Sequence, residues 1–465
     1  MVATVLSGLL PLALVLDVPD VGRSSAWRLM LALLVYSGLR LALLVARGLP
    51  RLFDFFFWLF CYIFLGLAPT VQIRSGLIAR TTPGVDPALD GPTALLVWAG
   101  VLCYELGRGV TVLVERRQRS LGHVGDVSEP RPPVAVDRTR TWVLVLSGVA
   151  FSAYFISQVG PQALVGSRDA AFAARTATWP DPAVRSIMYA LSVYPLLVGV
   201  GALAQLRRAA GRSTAGFGYG LAAVGASALL LTIINPVSSA RYSLGTVLFA
   251  LAVYAGAVAR SLRVRVALLG TLGGLIFLFP LADAFRLSSR VNLVRDGFFG
   301  EYQGNPDYDA FWQIANAYSY VVDGLVERGQ QALGVVLFWV PRSIWPDKPI
   351  DTGILLANYR QYNFTNLSAP LWSEFLVNGG VVALVIGFVC VGGLLRILDT
   401  RLVPAFASSG FWAIAGAVFP IYMTILLRGS LLQATGSVTV AAASLIFVRG
   451  RTGRPRPAPL DQAAR

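Results

Sequence analysis

Histidine is almost missing from this chain of 465 residues: His123 is the only one, and it lies in a charged loop. Chemistry that depends on an imidazole, as a general base or as a metal ligand, is therefore nearly excluded. Cysteine is scarce too. Cys61, Cys103 and Cys390 all sit inside apolar runs, without metal-ligand spacing or an evident disulfide partner. Charge is also short: 14% of residues are charged against 55% hydrophobic, and the mean hydropathy is +0.65. A soluble chain carries about 25% charged residues, so this one reads as an all-α polytopic membrane protein. The spans use up its length and leave no room for a large soluble domain. No basic leader precedes the first apolar run, so Met1 is expected to open a first span rather than a cleaved signal peptide.

What charge there is has one sign. The formal net charge is +15, almost all of it from arginine. In a membrane protein this first reflects orientation and contact with anionic lipid of the bilayer; no nucleic-acid partner is expected.

A span needs about 20 apolar residues. Candidates fall at 1–16, 26–46, 52–69, 92–114, 141–157, 186–204, 217–234, 242–259, 266–282, 374–395, 402–427 and 430–448, about twelve in all. The basic loops at 47–51, 115–119, 205–212, 259–265 and 396–401 and the tail from Arg449 alternate along this series, which puts them all on the cytoplasmic side with both termini. The chain then divides into a nine-span region 1–282, an extracytoplasmic loop 283–373, three spans over 374–448 and a tail 449–465 expected to be disordered. Residues 333–345 are too short to span and end at Pro341, so they read as re-entrant. Within the long loop, Phe311, Ile314, Ala315, Tyr318, Val321, Val322 and Leu325 recur with helical period. Gln313, Asn316, Asp323 and Glu327 occupy the other face. This predicts an amphipathic helix on the outer face, its apolar side in lipid or on the bundle.

Chemistry-bearing residues gather on the loops opposite the basic ones, and the mid-span regions are almost free of charge. Arg241 ends the short loop Asn235-Pro236-Val-Ser-Ser-Ala and is placed at the membrane boundary, as a snorkelling anchor or as a bidentate phosphate ligand. Asp283 and Arg286 lie three apart and either pair with each other or leave Arg286 facing an anionic ligand. Asp307-Tyr308-Asp309 could hold a divalent cation, but Asp309 as a helix N-cap is favoured. Arg342 and Lys348 flank a turn broken by Pro341, Pro346 and Pro349, beside Trp339 and Trp345. Glu374 and Asn378 share a helix face just inside a span, followed by Gly379-Gly380, which permits a kink.

The run PRSIWPDKP at 341–349 followed by PLWSEFLVNGG at 370–380, with NPVSSAR at 235–241 and DYDAF at 307–311, resembles bacterial O-antigen polymerases of the Wzy type. The likeness is best over roughly 235–395; residues 1–234 match only in being multi-span. It implies a GT-C-like membrane glycosyltransferase in the bacterial cytoplasmic membrane. Such an enzyme polymerises polyprenyl-diphosphate-linked oligosaccharides on the extracytoplasmic face from a donor that needs no nucleotide; no cofactor is expected, and no residue is assigned to a metal. Export or chain-length-regulating membrane proteins would be its partners. On this resemblance Arg241, Arg286, Arg342 and Lys348 are expected to bind diphosphate. Glu374 first and Asp309 second are candidates for the catalytic base, and Trp345, Trp372, Tyr359 and Asn378 for sugar contacts. The related O-antigen ligases are expected to use an extracytoplasmic histidine, which this chain lacks. The competing class is a flippase of lipid-linked oligosaccharides, which should carry charge through its spans.

Overall fold

The computed structural model describes residues 1–120, 135–278, 298–408 and 410–450, and among these it is helical throughout, with no strand. In chain order the helices that matter here are α1 (Val2–Asp17), α2 (Trp27–Arg47), α3 (Leu52–Ser75), α4 (Asp90–Ser120), α5 (Arg138–Val159), α6 (Pro161–Val165) and α7 (Arg168–Thr178). There follow α8 (Pro182–Ala210), α9 (Thr214–Ile233), α10 (Arg241–Tyr254) and α11 (Ser261–Gly273). The remainder are α12 (Ala310–Val322), α13 (Gln330–Val336), α14 (Thr352–Tyr359), α15 (Leu371–Ser408), α16 (Phe411–Arg428) and α17 (Leu431–Phe447).

Eight helices are long and apolar enough to cross a membrane, while Val2–Asp17, Arg241–Tyr254 and Leu431–Phe447 are apolar but shorter. The chain is therefore a helical, multi-pass membrane protein by length and composition. Among the described residues the segments expected to span are largely helical, but 402–427 is divided between α15, which runs on to Ser408, and α16, which begins at Phe411. The expected loop at 396–401 is helical and belongs to α15. Its charges are used inside the bundle. Arg396 pairs with Glu115 of α4 at 2.8 Å, and the Asp399 carboxylate accepts from the backbone N–H groups of Phe53 and Asp54, closing the N-terminus of α3.

At the centre lies α3, almost wholly buried, with Asp54 near its start, Gln72 and Arg74 near its end and an apolar middle. Phe57 stacks on Tyr104 of α4, and Trp372 of α15 packs beside Phe57, Phe60 and Phe388. The crossing of α4 and α15 is close because small residues meet there. A Cβ at Gly107 would lie 1.9 Å from the Val389 carbonyl, and one at Gly392 would lie 2.0 Å from that of Tyr104. Such backbone-to-backbone packing is how membrane helices associate when apolar burial offers no net drive.

The expected surface helix is real but misplaced. α12 does not lie on the outer face: Phe311, Trp312, Gln313, Ile314, Ala315, Asn316 and Ala317 are all wholly buried. Over 310–317 both faces are covered, because α12 packs against α4, α14 and α15 and the middle of α3, while Val322 at its end is exposed. Residues 333–345 form no continuous helix. α13 ends at Val336, and Val336, Trp339 and Ile344 are exposed.

α15 breaks where the Gly-Gly pair allows it. Gly380 has φ 63 and ψ −155, outside the helical region. The break frees carbonyls, and residues 327–332 take them up. Glu327 N–H donates to the Val377 carbonyl at 2.9 Å, and Gly329 N–H donates to that of Asn378 at 2.8 Å. The chain passing over the kink thus completes the hydrogen bonding that the kink removes.

A candidate site of paired arginines and aspartates

Three separate local structures bring charged groups to one loop-rich end of the bundle. Asn235 forms the first. Its Oδ1 accepts from Val237 and Ser238 N–H, and its Nδ2 donates to the Leu164 carbonyl, so the turn before α10 is fixed and Arg241 becomes the first residue of that helix. The second is the 3-10 turn Pro306–Tyr308, capped by Asn305, which presents Asp307 and Asp309. The third is the end of α16, where Arg428 is the last residue and lies at the negative end of the helix dipole.

These groups converge. Arg241 Nη1 lies 3.5 Å from Asp307 Oδ2. From the other side, Arg428 Nη2 lies 3.8 Å from Asp307 Oδ1 and 3.5 Å from Asp309 Oδ1, and its Nε donates to the Asp307 carbonyl at 3.2 Å. Asp307 is 30% exposed at its side chain, whereas Asp309 is buried. Asp309 holds the N-cap position of α12 but makes no capping bond; its Oδ2 accepts instead from Ser368 N–H at 3.0 Å. Burial pushes the Asp309 carboxyl above its usual range, and Arg428 and Ser368 pull it part of the way back.

Glu374 stands one turn of chain away. Its Oε1 accepts from Leu431 N–H and its Oε2 from the Thr352 hydroxyl, both at 2.9 Å. The carboxylate thereby closes the N-terminus of α17 and ties it to α14. The turn 428–431 connects the two groups: Arg428 reaches Asp307 and Asp309, and Leu431 reaches Glu374. Backbone bonds lock the same turn, since Ala369 N–H donates to the Arg428 carbonyl at 3.0 Å.

The other expected site residues separate from this cluster. Arg342 is exposed and folded back on its own loop, donating to the carbonyls of Pro346, Lys348 and Pro349. Lys348 Nζ donates to the carbonyls of Phe338 and Val340; burial, and then Arg342, lower its pKa. Both cations thus brace a turn whose prolines leave few backbone donors. Trp372 is a correction to the expected sugar contact. It is wholly buried, donates to the Val97 carbonyl and packs against Phe388, so no face of its ring is free. Asn378 is bonded to backbone on both sides, to the Glu374 carbonyl and to Ala332 N–H. Tyr359 is half-buried and bonded to Asp323 and Ser319, and Trp345 is half-buried on the proline turn. Asp283 and Arg286 lie outside the described residues. Among the described residues, no three His, Cys, Asp or Glu side chains gather to hold a metal ion.

Sequence reasoning passed over Arg428. The signal was the same one that picked out Arg241, an arginine beside a short loop between spans, but the span had been ended one residue earlier.

A second charged group lies inside the spans, against the expectation that they are almost free of charge. Arg40 of α2 pairs with Glu105 of α4 at 2.9 Å and approaches Asp54 of α3 at 3.9 Å. Arg108 closes the ring, 3.6 Å from Asp54 and 3.3 Å from Glu105. Asp54 also accepts from Trp58 Nε1 and the Tyr104 hydroxyl.

The fold and these sites define a helical polytopic membrane protein with charge concentrated at two levels. In comparisons with known proteins the chain matches no family model, no curated protein and no solved structure.

Proposed function

We propose that this chain is a membrane glycosyltransferase that polymerises polyprenyl-diphosphate-linked oligosaccharides, with the loop-rich end facing the extracytoplasmic side. The observation that carries the reading is the convergence of Arg241 and Arg428, from the ends of two helices, on Asp307 and Asp309. Breaking a glycosyl–diphosphate bond develops negative charge on the leaving oxygen, and fixed cations lower that barrier. Arg241 and Arg428 take this role, ahead of Arg342 and Lys348, which serve their own loop. The attacking hydroxyl must lose a proton to a positioned base. Asp309 is the better candidate because it lies beside Arg428, where a diphosphate would sit. Glu374 then positions the turn that carries Arg428. The acceptor oxygen forms a bond to the anomeric carbon as the bond to diphosphate breaks. Polyprenyl diphosphate leaves with both electrons, and direct displacement inverts the centre.

The test is a purified chain given a synthetic polyprenyl-diphosphate-linked repeat unit. The expected result is a glycan ladder with release of polyprenyl diphosphate, abolished by Asp309→Asn and retained at a reduced level by Glu374→Gln. One observation favours a second reading: the ring of Arg40, Asp54, Glu105 and Arg108 is the kind of intramembrane charge a flippase would carry. Movement of the intact lipid-linked unit across proteoliposomes, with no ladder, would establish that reading instead.

A further inference from the structure

Among the described residues, helix α4 presents a face that the rest of the chain leaves uncovered. Leu95, Ala99, Leu102, Leu106, Gly109 and Leu113 follow one another at alternating steps of four and three, the seam spacing of paired helices. The four leucines are 58–64% exposed, Gly109 is exposed and Ala99 is half-buried. Gly109 makes a notch in the seam, where an added Cβ would meet nothing within 4 Å. An open groove of about 680 Å³ runs along this part of the helix, and Glu105 and Arg108 line it beside the leucines. Both belong to the intramembrane ring, yet Glu105 stays 20% and Arg108 16% exposed at the side chain. Lipid chains suit the outward face of α15, where Val381, Val382, Val385, Ile386 and Leu394 are exposed with no charge among them. They do not suit an ion pair half-way along a span, which hydrocarbon cannot hydrate.

We infer that this face is the interface with a second copy of the chain, α4 packed on α4 about a two-fold axis along the membrane normal. Two copies inserted the same way round hold Glu105 and Arg108 at the same depth, and a two-fold interface sets each patch against itself. Glu105 stands just before Leu106, at the position that flanks such a seam and exchanges ion pairs across it. Glu105 of either copy then meets Arg108 of the other. Opposite signs one turn apart thus make the patch complementary to itself. The ring has equal numbers of arginines and carboxylates, so it offers no net attraction to an anionic lipid headgroup. Gly109 lets the two backbones approach, which is what drives association where apolar burial does not. The inference depends on neither the polymerase nor the flippase reading.

The test is disulfide trapping of the full chain in the membranes of the expressing cell. Cys103 and Cys390 are first replaced by serine, while the buried Cys61 stays. One cysteine is then introduced, by Leu106→Cys on the seam or by Ile386→Cys on α15, two positions that are equally exposed at 58%. Oxidation should join the Leu106→Cys chains into a dimer about tenfold or more above the Ile386→Cys chains. A second variant, Gly109→Leu, fills the notch without meeting its own chain, so folded yield should hold. The purified dimer should weaken about tenfold or more, a loss of about 1.4 kcal/mol, read as molecular mass across a detergent dilution series. Equal trapping at both positions, as random collision gives, would overturn the interface. So would a wild type of monomer mass that traps at neither, which would leave the face to lipid. Trapping of Leu106→Cys to a different protein would give the face to that partner instead. A dimer unmoved by Gly109→Leu would overturn α4 as its seam.

Discussion

Two clusters in this molecule have the same formula, two arginines and two carboxylates, and opposite surroundings. Arg40, Asp54, Glu105 and Arg108 come from within helices α2, α3 and α4 and form a ring in which each cation meets both anions. Their side chains are at most 20% exposed. Arg241, Arg428, Asp307 and Asp309 come from helix ends and a 3-10 turn, and both Asp307 and Arg428 are about 30% exposed. The first ring pairs its charges with one another, with Trp58 and Tyr104 completing Asp54, and ties three spans together. The second sits at the open end of the bundle. Composition alone does not separate structure from function here; the backbone elements that carry the charges do.

Substitutions should split along that line. Arg428→Ala should lower the rate of polyprenyl diphosphate release by about 10²–10³-fold, the usual loss when one preorganised donor to a developing anion is removed. Folded yield should fall as well, because Asp307 keeps water and Arg241 but the buried Asp309 loses the Arg428 cation, so the rate is compared per folded molecule. In the other cluster, Arg40→Met leaves Asp54 and Glu105 short of a cation. It should destabilise by about 3–5 kcal/mol, read as a lowered unfolding temperature in detergent, while the activity per folded molecule stays near that of wild type. Equal loss of activity from both substitutions would dissolve the distinction.

A smaller effect sharpens it through pH. Asp309 must be ionised to accept a proton, and burial raises its pKa. The rate should therefore fall on acidification at a pH above the ordinary aspartate value of about 4, and recover as pH rises through the raised pKa. A rate that stays flat down to that ordinary value would move the base elsewhere.

Much of this architecture was legible in the sequence, and the failures have physical causes. Apolar runs located the helices because length and hydropathy are what a bilayer selects. The helical period of Phe311, Ile314 and Ala315 was correct, but a period cannot say whether the polar stripe of Gln313 and Asn316 meets water or protein. The charges at 396–401 signalled an end of the apolar run; they did not end the helix, since Arg396 and Asp399 found partners on α4 and α3. Glu374, picked out in the sequence as a carboxylate just inside a span, is buried. Its two donors come from residues 22 and 57 positions away, and no local pattern reveals them. Arg342 differs: its partners lie only 4, 6 and 7 positions away, in the proline-rich loop that consumes the cation it presents.

The most direct measurement is release of polyprenyl diphosphate from a synthetic lipid-linked repeat unit, compared at equal folded protein between wild type, Arg428→Ala and Arg40→Met. The account predicts release by wild type and Arg40→Met and almost none by Arg428→Ala. Release that survives in Arg428→Ala but vanishes in Arg40→Met would contradict it and place the chemistry at the intramembrane ring.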